Sequence, residues 1–138
     1  MSRHHERRLL QLAVAIACLV PLGAGTLGVL HGPAMVDGAP AAGHADLDSH
    51  FRYLSGLLLG VGLGFAASIP TIERRSELFA VLSAAVVVGG LARLAALITG
   101  SVPGAPDVLA LGVELLIVPL LWLWQRRIAR RFRPGRPV

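Results

Sequence analysis

Four long apolar segments dominate the sequence and limit the folds open to it. They cover residues 9–30, 51–72, 78–98 and 108–125, and a helix needs about 20 apolar residues to cross a bilayer. Helices of a soluble bundle carry polar residues at every third or fourth position, which these segments lack. The mean hydropathy of +0.68 and the 15% of charged residues agree with a membrane protein. We predict an all-α, integral membrane four-helix bundle formed by a single domain, residues 1–138.

The positions of the arginines predict how these helices are oriented. The N-terminal segment 1–8 holds three arginines, segment 73–77 holds two and segment 126–138 holds six, whereas segments 31–50 and 99–107 hold none. Cytoplasmic loops carry the excess of basic residues, so we predict both termini in the cytoplasm and an inner-membrane location. Residues 31–50 then form a flexible extracytoplasmic loop and residues 126–138 a basic cytoplasmic tail. A basic tail after an apolar run fits a lipid surface, and no nucleic-acid partner is expected.

The first apolar segment also has the features of a signal peptide, because Arg7 and Arg8 precede the apolar run. It contains no convincing small-residue cleavage site and is long for a signal core, so a retained helix is the preferred interpretation. We expect Pro21 to bend that helix. The single cysteine, Cys18, excludes a disulfide within the chain.

The second apolar segment carries small residues at intervals of four. Gly56, Gly60, Gly64 and Ser68 therefore fall on one helical face. Small side chains let two membrane helices approach closely, so this face is predicted to pack against another helix. The partner is either a helix of the same chain, which is the simpler interpretation, or the same face in a homodimer.

One arginine, Arg93, lies inside the third apolar segment, "VVVGGLARLAALI". A charge inside a bilayer is costly and usually has a partner, and Glu114 is the one acidic residue within any predicted span. Counted at 1.5 Å per residue, both side chains lie roughly 8–9 Å below the outer boundary. We predict an ion pair between them, with Gly89 and Gly90 clearing space for Arg93. Two alternatives remain: Arg93 extends to the headgroups, or the pair serves only to fix the helices.

Arg52 is the third charged residue of this candidate site. It opens the second segment at the outer boundary, and we expect Arg52, Arg93 and Glu114 to face one polar site in the outer half of the bundle. The alternative is that Arg52 and its neighbour Tyr53 anchor the helix at the interface.

Other chemistry is weakly indicated. Five residues near the predicted outer loop could ligate a metal, but their spacing matches no metal motif, so neither a metal nor a cofactor is expected; they are His31, Met35, His44, Asp46 and His50. Phosphate-binding loops and nucleophile motifs are also missing from the sequence. An intramembrane enzyme is therefore the least favoured class of function.

The stretches "DSHFRYLSGLLLGVGL", "VVVGGLARLAALITG" and "ELLIVPLLWLWQRR" together resemble the bacterial membrane family called domain of unknown function 4345 (DUF4345). The resemblance covers roughly residues 46–131. It rests on Phe51 and Arg52 with the following Gly56, on the Gly-Gly-x-x-Arg of the third segment and on Glu114, although this chain has Ala92 where many relatives have glycine. It implies a compact four-helix membrane protein and supplies no activity.

Two hypotheses for the function follow. The first is that the outer-half site binds or transports a small anionic molecule or a lipid, with Arg93 holding the anionic group and Glu114 orienting Arg93 or taking a proton. The alternative is a structural or interaction protein whose intramembrane charges fix the fold. The lipid bilayer is the expected partner in both, and a homodimer through the glycine face fits either.

Overall fold

The structure is a computed structural model that describes residues 3–35, 45–100 and 104–132, and these residues form helices and turns without any strand. Helix α1 spans Arg3–His31 and is followed by a 3-10 turn, Gly32–Met35. Helix α2 spans Ala45–Ser68 and ends in the 3-10 turn Ile69–Thr71. The remaining elements are α3 (Ser76–Ile98), α4 (Ala105–Gly112), a π-helical turn (Val113–Ile117) and α5 (Val118–Phe132).

Four helical stretches are long and apolar enough to cross a membrane. They are His4–Met35, Ala45–Thr71, Ser76–Ile98 and Ala105–Phe132, the last being α4, the π turn and α5 in continuous sequence. Between 6% and 22% of the most apolar window of each stretch is buried. Most large apolar side chains are therefore on the surface, where a bilayer accepts them and water does not. The prediction of an all-helical protein with four helices of spanning length is confirmed.

The helices extend further than the apolar segments. Helix α2 begins at Ala45, so residues 45–50 are helical and the predicted loop 31–50 is shorter than expected. Helix α5 continues to Phe132, so most of the predicted tail is helical as well. The acidic residues in the first turn of α2 and the arginines in the last turn of α5 each have the charge that stabilises that helix end. Residues 36–44 and 133–138 lie outside the described part of the chain.

The chain divides into two compact units, and the first, the hairpin unit, is Val14–Ile69. Here α1 and α2 approach closely at glycines. A Cβ atom added at Gly25 would lie 2.7 Å from the backbone nitrogen of Leu59, and one added at Gly62 would lie 3.1 Å from the Cδ2 atom of Leu22. Any larger side chain at Gly25 would force the two backbones apart, so this glycine sets the spacing of the hairpin.

The second unit, the charged unit, comprises residues up to Ala13 and from Pro70 onward, as far as the structure describes them. In it, α3 packs against α4, the π turn and α5. The first turns of α1 are held by ion pairs: the Nε atom of Arg7 lies 3.1 Å from Glu73, and Glu6 accepts a hydrogen bond from Arg131. Polar side chains thus attach the start of the chain to the rest of this unit.

A buried glutamine joins α5 to the start of α3 in the charged unit. Gln125 of α5 is fully buried, and its Nε2 atom donates to the Ile72 carbonyl at 2.7 Å and to the Ser76 hydroxyl at 3.0 Å. These bonds fix the start of α3 against α5. Phe79 and Ile128 are almost fully buried in the same unit and supply apolar packing.

Candidate functional site

Arg93, near the C-terminal end of α3, binds two carboxylates. Its Nε atom lies 3.2 Å from Oε2 of Glu114 and its Nη2 atom 3.4 Å from Oε1, so the guanidinium meets Glu114 through two donors. Its Nη1 atom donates to Oδ1 of Asp107 at 2.9 Å. The structure therefore brings Arg93 and Glu114 together and adds Asp107. We call these three residues the Arg93 cluster.

Glu114 lies on the π-helical turn that separates α4 from α5. The wider turn is closed by the N–H group of Val118, which donates to the carbonyl of Val113, five residues earlier. Pro119 follows directly. A proline lacks an N–H group and collides with the carbonyl four residues before it, so a regular α-helix through this point would be strained. Turns of this kind inside α-helices are rare and often occur at functional sites.

Gly90 allows α3 to approach this turn. A Cβ atom added at Gly90 would lie 2.8 Å from the Cβ atom of Glu114 and 2.8 Å from the Cδ2 atom of Leu115. Gly89, its neighbour, points elsewhere, because a Cβ atom there would meet nothing within 4 Å. Of the two glycines predicted to clear space beside Arg93, Gly90 alone makes a close contact in the structure.

Asp107 is the residue that the sequence reasoning missed. Its Oδ2 atom accepts a hydrogen bond from the backbone N–H of Gly104 at 3.1 Å and so caps α4, while its Oδ1 atom accepts from Arg93. Two features of the sequence point to Asp107. Pro106 marks a first helical turn, and Asp107 precedes Glu114 by seven residues, which is two helical turns along one face. Assigning residues 99–107 to a turn concealed that relationship.

The Arg93 cluster carries one negative charge in excess, because two carboxylates face one guanidinium. It is also accessible: the side chains of Arg93, Asp107 and Glu114 are 37%, 48% and 20% exposed. Arginine has five N–H donors, and the three contacts use one on each nitrogen, which leaves two. The cluster can therefore hold a cationic group at its carboxylates and an acceptor oxygen at Arg93.

Arg52 has its described partners within the hairpin unit. Its Nε atom lies 2.9 Å from Asp48, one turn earlier on α2, and its Nη1 atom donates to the carbonyls of Val29 at 2.5 Å and Leu30 at 3.1 Å. Arg52 thus satisfies carbonyl groups at the end of α1 that have no helical donor. A single site that combines Arg52 with Arg93 and Glu114 stays a prediction.

The glycines predicted to form a packing face on α2 behave differently from one another. A Cβ atom at Gly60 would meet nothing within 4 Å, and one at Gly56 would reach only the Cγ2 atom of Val29, at 4.0 Å; Gly64 is half-buried. The tight contacts between α1 and α2 instead involve Gly25, Gly28 and Gly62. A homodimer through the Gly56, Gly60 and Gly64 face stays a prediction.

The residues considered for a metal site do not converge where the structure describes them. No group of three or more His, Cys, Asp or Glu side chains that could hold a metal ion is found within residues 3–35, 45–100 and 104–132. His50 approaches the Asp46 carbonyl through its Nδ1 atom at 2.9 Å, which is a local helical contact. His44 lies outside the described residues.

The chain matches one known protein family. The family described as domain of unknown function (DUF4345) matches residues 9–125, which include all four apolar segments and the whole Arg93 cluster. Neither the curated proteins nor the solved structures contain a match to the chain.

Proposed function

Because the chain belongs to the DUF4345 family, whose description assigns no activity, we propose a function from the Arg93 cluster itself. We propose that this protein spans the inner membrane with both termini in the cytoplasm and binds the headgroup of a zwitterionic phospholipid at the Arg93 cluster. The observation that carries the proposal is that two carboxylates, those of Asp107 and Glu114, share one guanidinium.

The charge of the cluster favours a ligand that brings a cation. Arg93 neutralises one of its two carboxylates, and the remaining negative charge is costly in a low-dielectric setting unless a cation approaches it. An ammonium group offers three N–H donors and a compact positive charge. The amine of a phosphatidylethanolamine headgroup therefore complements the excess carboxylate.

The unused donors of Arg93 favour a ligand that also brings an anion. Two N–H groups of its guanidinium are not used by Asp107 or Glu114, and a phosphate oxygen is a strong acceptor for such groups. A ligand that carries only an anionic group would add to the negative charge already present. It would bind well only when a carboxylate of the cluster takes up a proton.

The surroundings of the cluster suit the acyl chains of a lipid. Leu109 and Leu116, which lie two residues after Asp107 and Glu114, are largely exposed. Exposed leucines on a spanning helix contact lipid rather than water. A phospholipid would thus place its chains on this apolar surface and its headgroup at the Arg93 cluster.

A second candidate function is a structural lock between α3 and the helices that follow it. It is favoured by the close contact of Gly90 with Glu114 and by the use of all three nitrogens of Arg93. In that case the cluster fixes the register of the helices and binds nothing.

Native mass spectrometry in detergent, with equal amounts of phosphatidylethanolamine and phosphatidylglycerol, separates the candidates. For zwitterionic lipid binding, Asp107→Asn and Glu114→Gln should each lower phosphatidylethanolamine occupancy. A lost charge-assisted bond of about 1.5–3 kcal/mol corresponds to affinity lower by roughly tenfold to a hundredfold. Asp46→Asn, which removes an exposed carboxylate elsewhere, should leave occupancy unchanged.

Two other outcomes would contradict the binding of a zwitterionic lipid. If the cluster variants lower the melting temperature while the ratio of the two bound lipids stays constant, the lock is correct and lipid binding is refuted. If Asp107→Asn or Glu114→Gln instead raises phosphatidylglycerol occupancy, as low pH does in the wild type, the ligand of the Arg93 cluster is anionic and its binding is coupled to a proton.

A further inference from the structure

An open groove of about 370 Å³ lies in the charged unit between the first turn of α3 and the last turns of α5. We call it the basic groove. Its lining combines two arginines, one carboxylate, one hydroxyl, one indole and two small residues that leave room between the helices; these are Arg126, Arg130, Glu77, Ser76, Trp122, Ala80 and Ala129. None of them belongs to the Arg93 cluster.

The charges around the basic groove sum to a positive value. Arg126 and Arg130 outnumber Glu77, and an adjoining depression is bordered by two more arginines, Arg74 and Arg75. That depression also contains Glu73, but Arg7 pairs with Glu73 at 3.1 Å and neutralises it. Among the residues that the structure describes, no carboxylate pairs with Arg130. An anion is therefore attracted to this end of the unit.

The start of α3 adds backbone donors to the same place. Arg75 occupies the N-cap position and its side chain makes no capping hydrogen bond. The first N–H groups of a helix have no partner within the helix, and the helix dipole gives that end a partial positive charge. Ser76, the first residue of α3, lines the basic groove. An acceptor in the groove would thus meet a hydroxyl and an uncapped helix end.

The indole of Trp122 stacks with Arg126 and carries a donor without a partner in the part of the chain that the structure describes. The Cζ atom of Arg126 lies 4.9 Å from the centre of the Trp122 ring, which holds the guanidinium at the wall of the groove. The indole N–H of Trp122 is buried and has no acceptor within the described residues. A buried donor without an acceptor is destabilising and rare. A ligand oxygen that entered the groove when Arg126 shifts would remove this defect.

We propose that the basic groove binds the phosphate of an anionic phospholipid headgroup. Arg126 and Arg130 donate hydrogen bonds to the phosphate oxygens as charged groups, and Ser76 and the first N–H groups of α3 donate as neutral groups. The indole N–H of Trp122 gains the acceptor that it lacks among the described residues. The source is a lipid rather than free phosphate because Leu120 and Leu123, which are exposed on the same helix as Trp122 and Arg126, offer a surface for the acyl chains.

The test is to reconstitute the protein in nanodiscs of phosphatidylcholine that contain a small fraction of phosphatidylglycerol. The readout is the amount of phosphatidylglycerol that the protein retains after extraction with detergent. Each basic residue near an anionic surface contributes roughly fivefold to affinity. The double variant Arg126→Gln, Arg130→Gln should therefore retain phosphatidylglycerol about thirtyfold more weakly. Trp122→Phe, which keeps the ring and removes the N–H group, should weaken retention by a smaller factor. Arg130→Lys should keep most of it.

The matched control is Arg8→Gln, which removes one exposed arginine from the same unit outside the groove. It is compared with the single variant Arg130→Gln, which should weaken retention by roughly fivefold. If Arg8→Gln weakens retention as much, binding reflects overall charge and the groove proposal is wrong. If inorganic phosphate at physiological concentration displaces the lipid from the wild-type protein, free phosphate is the ligand and the lipid proposal is wrong. Unchanged retention in the double variant overturns the proposal directly. Circular dichroism of every variant checks that the helices are intact.

Discussion

Replacement of Gly90 by alanine is the most direct test of the packing that places Glu114 beside Arg93. The added Cβ atom would lie 2.8 Å from the Cβ atom of Glu114 and 2.8 Å from the Cδ2 atom of Leu115, about 1 Å closer than carbon atoms pack at optimal separation. Because Glu114 is held by Arg93, it cannot move away without stretching the ion pair. Extra atoms in a packed interior cost about 1–3 kcal/mol, so the unfolding equilibrium constant should be roughly fivefold to more than a hundredfold higher than that of Gly89→Ala, which makes the same change in open space.

Gly89→Ala provides the control, because it makes the same chemical change one residue away, where the new Cβ atom meets nothing within 4 Å. Alanine favours a helix over glycine by about 1 kcal/mol, so this variant should be as stable as the wild type or more stable. The assay is reversible unfolding in mixed micelles with increasing sodium dodecyl sulfate, followed by circular dichroism. Equal stability of the two variants would refute the close approach of α3 to the π turn.

Three further variants, two in the hairpin unit and one in the charged unit, test polar contacts by the same unfolding assay. Arg52→Gln should cost about 1 kcal/mol because two carbonyls of α1 lose a charged donor; Asp48→Asn should cost less than about 0.5 kcal/mol because it removes only an exposed ion pair. Equal effects would mean that the ion pair, not the carbonyl contact, is what matters. Gln125→Met should lower stability by about 1–3 kcal/mol, because the buried carbonyl of Ile72 loses its donor in a side chain of similar size. No loss would show that another group satisfies that carbonyl.

Spanning helices and the depth of charges could be predicted from the sequence because both depend on counting residues along one helix. Arg93 and Glu114 are each a fixed number of residues from a helix end, and a short connection makes consecutive helices antiparallel, so their meeting required no knowledge of packing. Asp107 was missed because it lies beyond the apolar segment, where hydropathy alone cannot distinguish a first helical turn from a loop. The first turn of α2, with Asp46 and Asp48, was misassigned for the same reason.

The close packing of glycines between α1 and α2 could not be predicted, because it depends on how each helix is rotated about its axis. The regular spacing of Gly56, Gly60 and Gly64 indicated a packing face, yet Gly60 has open space around it, and Gly25 is the glycine of the hairpin unit whose added Cβ atom would meet the backbone of α2 at 2.7 Å. Several faces of a glycine-rich helix can satisfy the same spacing rule. The π turn was equally hidden, since it arises from Pro119 together with contacts to another helix.

The local structure around Glu114 bears on the choice between binding and a structural lock. Two apolar helices in a bilayer can pack through small side chains alone, and replacing a buried ion pair with apolar residues is often neutral or stabilising. The Arg93 cluster nevertheless combines three charges, a π turn and a glycine, each of which is unfavourable for an isolated membrane helix. One carboxylate and one guanidinium would suffice for a lock. The second carboxylate, Asp107, also caps α4, but its pairing with Arg93 gives the cluster an excess negative charge with half of the Asp107 side chain accessible, which a cationic headgroup would use.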